Sequence, residues 1–427
     1  MISKVLVLGY VWPEPNSSAA GRHMLSLLES FLTADWQVTF ASPALQGEHK
    51  VDLRALGIVE QNIALNCSSF DEFIVKLQPD IVLFDRFMLE EQFGWRVAQH
   101  CPKALRILDT EDLHSLRQAR HSALKQQREL STSDLNSDLA KREVAAIFRC
   151  DLSLIISEYE YNLLQHHYQV PKTILLHCPF MLDLSLLHQA KPEFEQRQHF
   201  ISIGNFRHEP NWDAVLWLKQ SIWPLIRKQL PDAEMHVYGA YPPPKATQLH
   251  NKQQGFLVKG WAADAEQVMT QARVCLAPLR FGAGLKGKLV EAMLCGTPSV
   301  TTSIGSEGMG SAPANSNNSN IDLNWPGHLL EFTADKQASV AEYFAQQAID
   351  LYLQPNYWQQ CQHLGYRWLS SHFDQVPLGL KLLDSIKHIA SNLDTHRANN
   401  FIGQMLQHHQ FKSTQYMAQW IEAKNKK

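Results

Sequence analysis

The chain lacks the cysteine spacing of a metal or disulfide framework. Its seven cysteines, Cys67, Cys101, Cys150, Cys178, Cys275, Cys295 and Cys361, are odd in number, and no two form a Cys-x-x-Cys pair. They read as reduced, mostly buried thiols of a cytosolic protein. No apolar run approaches the ~18 residues that a membrane span requires. The opening nine residues hold one lysine and a short apolar stretch, too short for a secretory leader and better read as a first buried strand. Charge of one sign is lacking too. Lys and Arg number 39 against 42 Asp and Glu, a net charge of −3 with 20 His neutral. That excludes a basic nucleic-acid footprint and an acidic disordered chain. No G-x-G-x-x-G motif opens a helix after residues 5–8, which disfavours a dinucleotide oxidoreductase. What remains is an ordinary globular composition, 45% hydrophobic and 19% charged over 427 residues, enough for two to three domains of about 150 residues each.

An apolar run at 5–8 ends at Gly9. A loop with Pro13, Pro15, Asn16, Ser17 and Ser18 leads to Met24, Leu27, Leu28 and Phe31, the spacing of a half-buried helix. Residues 37–41, 81–84, 105–108, 152–156 and 173–176 read as further strands, most of them separated by helical stretches. This alternation predicts a parallel sheet covered on both faces. Ser157-Glu158-Tyr159-Glu160 has the spacing of a capping box and predicts a helix start. After a looser stretch from 181 to 198 the pattern restarts. Strands are expected at 200–203, 235–238, 274–277 and 299–301, a helix capped by Asn211 runs to about Arg227, and another covers 285–295. The fold class is therefore α/β, with two Rossmann-like domains facing each other across a cleft. Residues 1–185 form the first domain, 199–375 the second, and 376–427 a helical return and tail. Residues 311–320 read as a polar surface loop, and the pattern after Glu331 is helical.

The most informative segment is 277–298. A strand ends at Ala277. Gly282 and Gly284 permit a tight turn and close backbone approach to a ligand. A helix starts near Leu285, so its free N–H groups and dipole point at the turn. Lys286 and Lys288 stand in its first turn, where cations are unfavourable by ~0.3–1 kcal/mol unless an anion joins them. The combination points to a phosphate or diphosphate. Glu291, three residues after Lys288 on the same helix face, can accept hydrogen bonds from a ribose diol; the alternative is an intrahelical pair with Lys288.

Together with Gly296-Thr297-Pro298, Thr302 and Glu307-Gly308, this segment resembles the donor-binding signature of group 1 retaining glycosyltransferases, whose fold is termed GT-B. The resemblance extends back through Gly204-Asn205-Phe206-Arg207, Pro210-Asn211-Trp212, Pro231, Ala233, Gly239, Gly260 and Pro278. It covers most of residues 199–310; the first half is similar only in architecture. It implies transfer of a sugar from a UDP- or GDP-type donor to an acceptor hydroxyl with retention, as in bacterial surface polysaccharide or glycan synthesis. Arg207 and Lys286 or Lys288 would hold the diphosphate, and Glu291 the ribose. Gly260-Trp261 would lie by the base, with Trp261 either stacking on it or buried. No cofactor is implied beyond the nucleotide-sugar co-substrate, and no metal; the chain shows no Asp-x-Asp cluster placed for one. One departure stands out. Many relatives carry two glutamates in Glu-x7-Glu spacing, and the earlier position here is Ala283. Glu307 is the substitute candidate, with a loop-capping role as its alternative.

In the first half, Asp109-Thr-Glu-Asp112-Leu-His114-Ser-Leu-Arg117 follows a strand, where parallel sheets carry their sites. The resemblance matches His114 to a histidine near donor sugar and acceptor. Asp112 either orients it or contacts the acceptor. In the loop 13–22, the small residues up to Gly21 allow close backbone approach to donor phosphates, and Arg22 can meet an anion; the alternative is an ordinary strand–helix connection. The implied partners are a nucleotide-sugar donor and a glycan or lipid-linked acceptor, with no nucleic acid. The tail has an amphipathic segment near Met417 and Trp420 and a basic end at Lys424, Lys426 and Lys427. It fits peripheral contact with the inner face of a membrane, or a helix packing back on the first domain. Two other readings stay open: a nucleotide-sugar epimerase of the same architecture, and a non-catalytic nucleotide-sugar-binding protein.

Overall fold

The computed structural model describes residues 2–312, 324–334 and 336–425. Apolar runs become central strands because both of their faces are covered. In β1 (Lys4–Leu8), Leu6 and Leu8 enter one buried cluster while Val5 and Val7 enter another, the two-sided burial of a parallel sheet. β1 joins β2 (Gln37–Ser42), β3 (Val59–Asn62), β4 (Ile81–Asp85), β5 (Leu105–Asp109), β6 (Leu152–Ile155) and β7 (Leu175–His177) in a parallel sheet ordered β3-β2-β1-β4-β5-β6-β7. A second parallel sheet is ordered β10-β9-β8-β11-β12-β13. Its strands are β8 (Gln198–Ile203), β9 (Met235–Tyr238), β10 (Phe256–Gly260), β11 (Ala272–Ala277), β12 (Ser299–Thr302) and β13 (Gly327–Leu330). The fold is α/β, with two Rossmann-like sheets and C-terminal helices, as the sequence pattern led one to expect.

Strand order reverses once in each sheet, between β1 and β4 (Val7 beside Leu83) and between β8 and β11 (Ile201 beside Cys275). Open α/β sheets bind ligands outside the carboxyl ends of their strands at such points. Here both points open onto one cavity. Tyr10, Asp85 and Arg86 line it from the first sheet, and Gly204, Asn205 and Leu279 from the second.

Several local expectations fail for physical reasons. β3, β10 and β13 escape the apolar pattern because each is a short edge strand, only partly buried. The helix assigned to an Asn211 cap begins at Glu209 after His208, which leaves the Asn211 side chain free to bond elsewhere. It continues to Gln229 through a π-type turn at Leu218–Ile222, just before Pro224, which has no N–H to donate to the preceding turn. Ser157 makes no side-chain cap bond, so the expected capping box does not form.

The two crossings between the sheets are tied together. The Leu182 amide donates to the Phe373 carbonyl (2.8 Å), and the Gln375 amide to the Leu182 carbonyl (3.0 Å). The chain then returns along the first sheet. Helix Gln375–Ser391 packs on helix Ala19–Thr33, and helix Phe401–Asn425 on helices Phe87–His100 and Asp138–Arg149. Arg397 fixes the return by donating to both oxygens of the Asp151 carboxylate (2.7 and 2.8 Å). All seven cysteines are free and six are buried. Among the described residues no helix is long and apolar enough to cross a membrane. Most of the loop expected at 311–320 lies outside the described residues, as do Lys426 and Lys427.

Candidate functional site

The cavity between the sheets has a volume of about 670 Å³. Three helix N-termini line it: Ser18–Arg22 at the start of Ala19–Thr33, His208–Asn211 at the start of Glu209–Trp217, and Lys286–Lys288 at the start of Gly287–Leu294. Helix dipoles favour an anion at such ends, although at the second Pro210 has no N–H, the Asn211 amide donates to the His208 carbonyl (3.0 Å) and Glu209 stands in the first turn, and at the first the Gly21 amide is taken by Ser18 Oγ (3.0 Å). A fourth helix, His114–Lys125, also opens here, but its first two amides already donate to the Glu143 carboxylate (2.7 and 2.8 Å).

The Gly-rich turn is held by the first domain. Gly284 has φ +63°, and a Cβ there would lie 2.8 Å from Asp112 Cβ, so both backbone shape and space require glycine. Its amide donates to Glu160 Oε1 (2.7 Å), which also accepts from the Leu113 amide (3.1 Å). Glu160 thus serves the interface rather than a capping box. The Gly282 carbonyl accepts from Arg120 Nη1 (2.8 Å). Between them, Ala283 lines the cavity and packs against the apolar cluster of the first domain that holds Phe87, Leu113 and Leu116.

The cations beside the turn differ in role. The helix begins at Gly287, not Leu285, although Leu285 lines the cavity with Gly282 and Gly284. Lys286 folds back and donates to the carbonyls of Ala283 (3.1 Å) and Gly284 (2.6 Å), and burial lowers its pKa. It braces the turn as well as lining the cavity. Lys288 donates to Asn211 Oδ1 (2.7 Å), and burial brings its pKa down to about 8. Arg207 lines the cavity with its guanidinium 3.8 Å over the Tyr241 ring.

Glu291 also lines the cavity, but it pairs with Arg22 of the first domain (3.4 Å) rather than with Lys288. Arg22 additionally reaches Glu266 (3.8 Å). Burial raises the Glu291 pKa, and Arg22 works against it. Gly21 allows the preceding loop to fold tightly, since a Cβ there would lie 2.6 Å from Glu14 backbone atoms. Trp261 is 40% exposed at the cavity wall and stacks on His49 of the first domain (4.1 Å, 11°), while Gly260 ends β10 with φ +78° and does not line the cavity. Glu307 departs from its expected place. It lies off the cavity, and both its oxygens accept from Arg120 (2.7 and 2.6 Å). It is a bridge between domains, closer to its alternative reading than to a sugar-contacting carboxylate.

On the first-domain side Asp112 pairs with Arg117 and lies 3.4 Å from His114 Nε2. Burial alone would raise the Asp112 pKa, but Arg117 and His114 overcome it and hold it at about 2. Burial lowers the His114 pKa to about 4, so the imidazole is neutral near pH 7. Arg86, Glu111, His208 and Tyr241 line the cavity as well and were not singled out from the sequence. Arg86 had a signal, its place at the end of β4. Glu160 and Arg120 had none, because their partners lie in the other domain. Among the described residues no group of three or more His, Cys, Asp or Glu side chains is arranged to hold a metal ion.

Residues 197–319 match the family model described as "Glycosyl transferases group 1", so the resemblance seen in the sequence is borne out. No curated protein sequence matches the chain. Solved structures share the fold. Sucrose-phosphate synthase from Thermosynechococcus elongatus superposes with a TM-score of 0.62 at 15% identity, over 91% of this chain and 100% of that one. A TarM variant from S. aureus, in complex with fondaparinux, alpha-GlcNAc-glycerol and UDP, gives 0.66 at 10% identity over 90% and 99%. HepE from Anabaena, in complex with UDP and glucose, gives 0.61 at 12% identity over 90% and 99%. The architecture is GT-B.

Proposed function

We propose that this GT-B chain is a retaining glycosyltransferase moving a sugar from a nucleoside-diphosphate donor, of UDP or GDP type, to an acceptor hydroxyl. The observation that carries this reading is the convergence of Lys288, Arg207 and three helix N-termini on one cavity beside a glycine turn. As the bond from the anomeric carbon to the diphosphate breaks, negative charge grows on the leaving group. These positive groups stabilise it, and with them in place the reaction requires no divalent metal. Glu291 takes the ribose diol by exchanging its contact with Arg22. The acceptor oxygen bonds to the same face of the sugar, and its proton passes to a leaving phosphate oxygen. Neutral His114 hydrogen-bonds sugar or acceptor hydroxyls. UDP in the TarM and HepE complexes supports a UDP-type donor.

The acceptor in this reading is a glycan or lipid-linked hydroxyl in bacterial surface polysaccharide synthesis, met from the cytoplasmic side. Exposed Phe401, Ile402, Met405, Tyr416, Met417 and Trp420 on the returning helix support peripheral membrane contact. The test is calorimetric titration of the purified protein with UDP, GDP and ADP sugars, followed by product analysis by NMR. Binding and transfer with unchanged anomeric configuration are expected. Epimerisation without acceptor would favour the epimerase reading, and binding without turnover the binding protein. Failure to bind any nucleotide sugar would refute the proposal.

A further inference from the structure

Glu111 is a buried carboxylic acid that the mechanism above leaves unused. It follows β5, is 8% exposed, and lines the cavity. Among the described residues its carboxyl group forms no hydrogen bond or ion pair, and its backbone is held at φ +58°. A buried polar group without a partner is costly unless a ligand supplies one.

Its neighbours show what kind of ligand would do so. Gly284 of the glycine turn sits directly against the 111–112 backbone; a Cβ at 284 would lie 3.6 Å from the Glu111 carbonyl oxygen. Lys288, four residues further on, marks the diphosphate end of the cavity. A group attached to that diphosphate therefore reaches the 111–112 loop next. Other carboxylates near this junction are engaged at one oxygen or both; Asp85, which also lines the cavity, accepts from the Tyr10 amide (2.8 Å) and lies beside Arg86 (3.7 Å). Asp112 is held by Arg117 and His114. Glu307 is held by both terminal nitrogens of Arg120. Glu160 has Oε1 taken by two backbone amides and Oε2 buried without a partner, but it lies off the cavity. Position 283 lines the cavity too but is an alanine against the apolar cluster of the first domain, so it supplies no carboxyl group. A carboxyl beside a phosphate would be repelled, whereas one beside a hydroxylated ring can form hydrogen bonds.

We propose that Glu111 of the first domain, rather than a residue of the glycine turn, holds hydroxyl groups of the sugar carried on the diphosphate. The assignment rests on the reading of the cavity as a nucleotide-sugar site. It makes Glu111 a residue that selects the donor sugar while leaving recognition of the nucleotide to the second domain.

The test compares wild type with E111A and E111Q by calorimetric titration with UDP and with the tightest binder from a panel of UDP, GDP and ADP sugars. UDP serves as a probe that reports a folded cleft without engaging the sugar subsite; if the panel selects another nucleotide, its diphosphate takes that place. In E111A the nucleotide diphosphate should bind within about two-fold of wild type, while the nucleotide sugar weakens about ten-fold, the scale of one or two lost hydrogen bonds to a neutral acid. E111Q, which keeps a donor and an acceptor, should recover most of that loss. Unchanged nucleotide-sugar affinity in E111A would overturn the assignment, as would an equal loss for the nucleotide diphosphate. Wild type binding no nucleotide sugar at all would instead overturn the parent reading, and this one with it.

Discussion

Replacing Lys288 by Met removes one charge and keeps most of the side-chain stem. The ammonium is partly buried in the first turn of its helix, and its hydrogen bond goes to a neutral partner, Asn211 Oδ1. Burial brings its pKa from 10.5 to about 8. A drop of that size corresponds to at most about 3 kcal/mol, since the group also faces an open cavity where solvent screens it. The direction matters. The folded pKa lies below the unfolded one, so the unfolded chain binds this proton more tightly. Charged Lys288 destabilises the free fold below about pH 8, and the penalty fades as pH rises towards the unfolded value. A bound diphosphate reverses this by supplying the missing counter-charge. UDP binding should therefore take up a proton above pH 8, and affinity should fall towards ten-fold per pH unit there. At pH 7, K288M should bind UDP about 10- to 150-fold more weakly, from the 1.5–3 kcal/mol of a charge-assisted hydrogen bond. It should also lose the pH slope and leave the free protein equally or more stable. Titration at pH 7, 8 and 9 in buffers of different ionisation enthalpy counts the protons. Undiminished UDP binding by K288M, or wild-type binding without proton uptake above pH 8, would refute the argument.

Arg120→Met leaves the Glu307 carboxylate unpaired between domains and should cost about 3–5 kcal/mol in urea unfolding, with much of it regained in R120M/E307M; a single variant as stable as wild type would contradict the bridge. Ala283→Glu restores the spacing common among relatives but pushes a carboxylate into an apolar cluster, so it should lose more than about 2 kcal/mol of stability and gain no transfer rate. A stable, faster A283E would show that the turn sits elsewhere. His114, with its pKa lowered to about 4, should give NMR signals of a neutral imidazole at pH 6 and contribute no limb to the rate profile between pH 5 and 7. Observing its titration near 6.5 would sink that prediction.

The glycine turn was legible because its signal is local. A strand end, two glycines, a helix start and lysines in the first turn are set by neighbours within a dozen residues. Lys288 and Glu291 do line the cavity, as does Arg207, which only the family resemblance pointed to. The central strands were legible from apolar runs covered on both faces, whereas β3, β10 and β13 were not, because these short edge strands are only partly buried and carry no such run. Ser157 to Glu160 shows the limit of a motif. Its spacing satisfies a capping box, yet Glu160 bonds Gly284, 124 residues away.

By itself the sequence determined two α/β units and a returning helical tail, and pointed to a helix start beside a glycine turn at strand ends. Each follows from periodicity, turn chemistry and helix-end electrostatics, which act over short stretches of chain. Only the tertiary structure decided which charges remain available in the cavity. Arg22 reaches Glu291, Arg120 clamps Glu307 across 187 residues, Lys286 folds back on the turn, and Glu111 is left facing the cavity. Those outcomes depend on how two separately formed sheets meet, and a pairing across a cleft leaves no periodic mark in either partner's sequence.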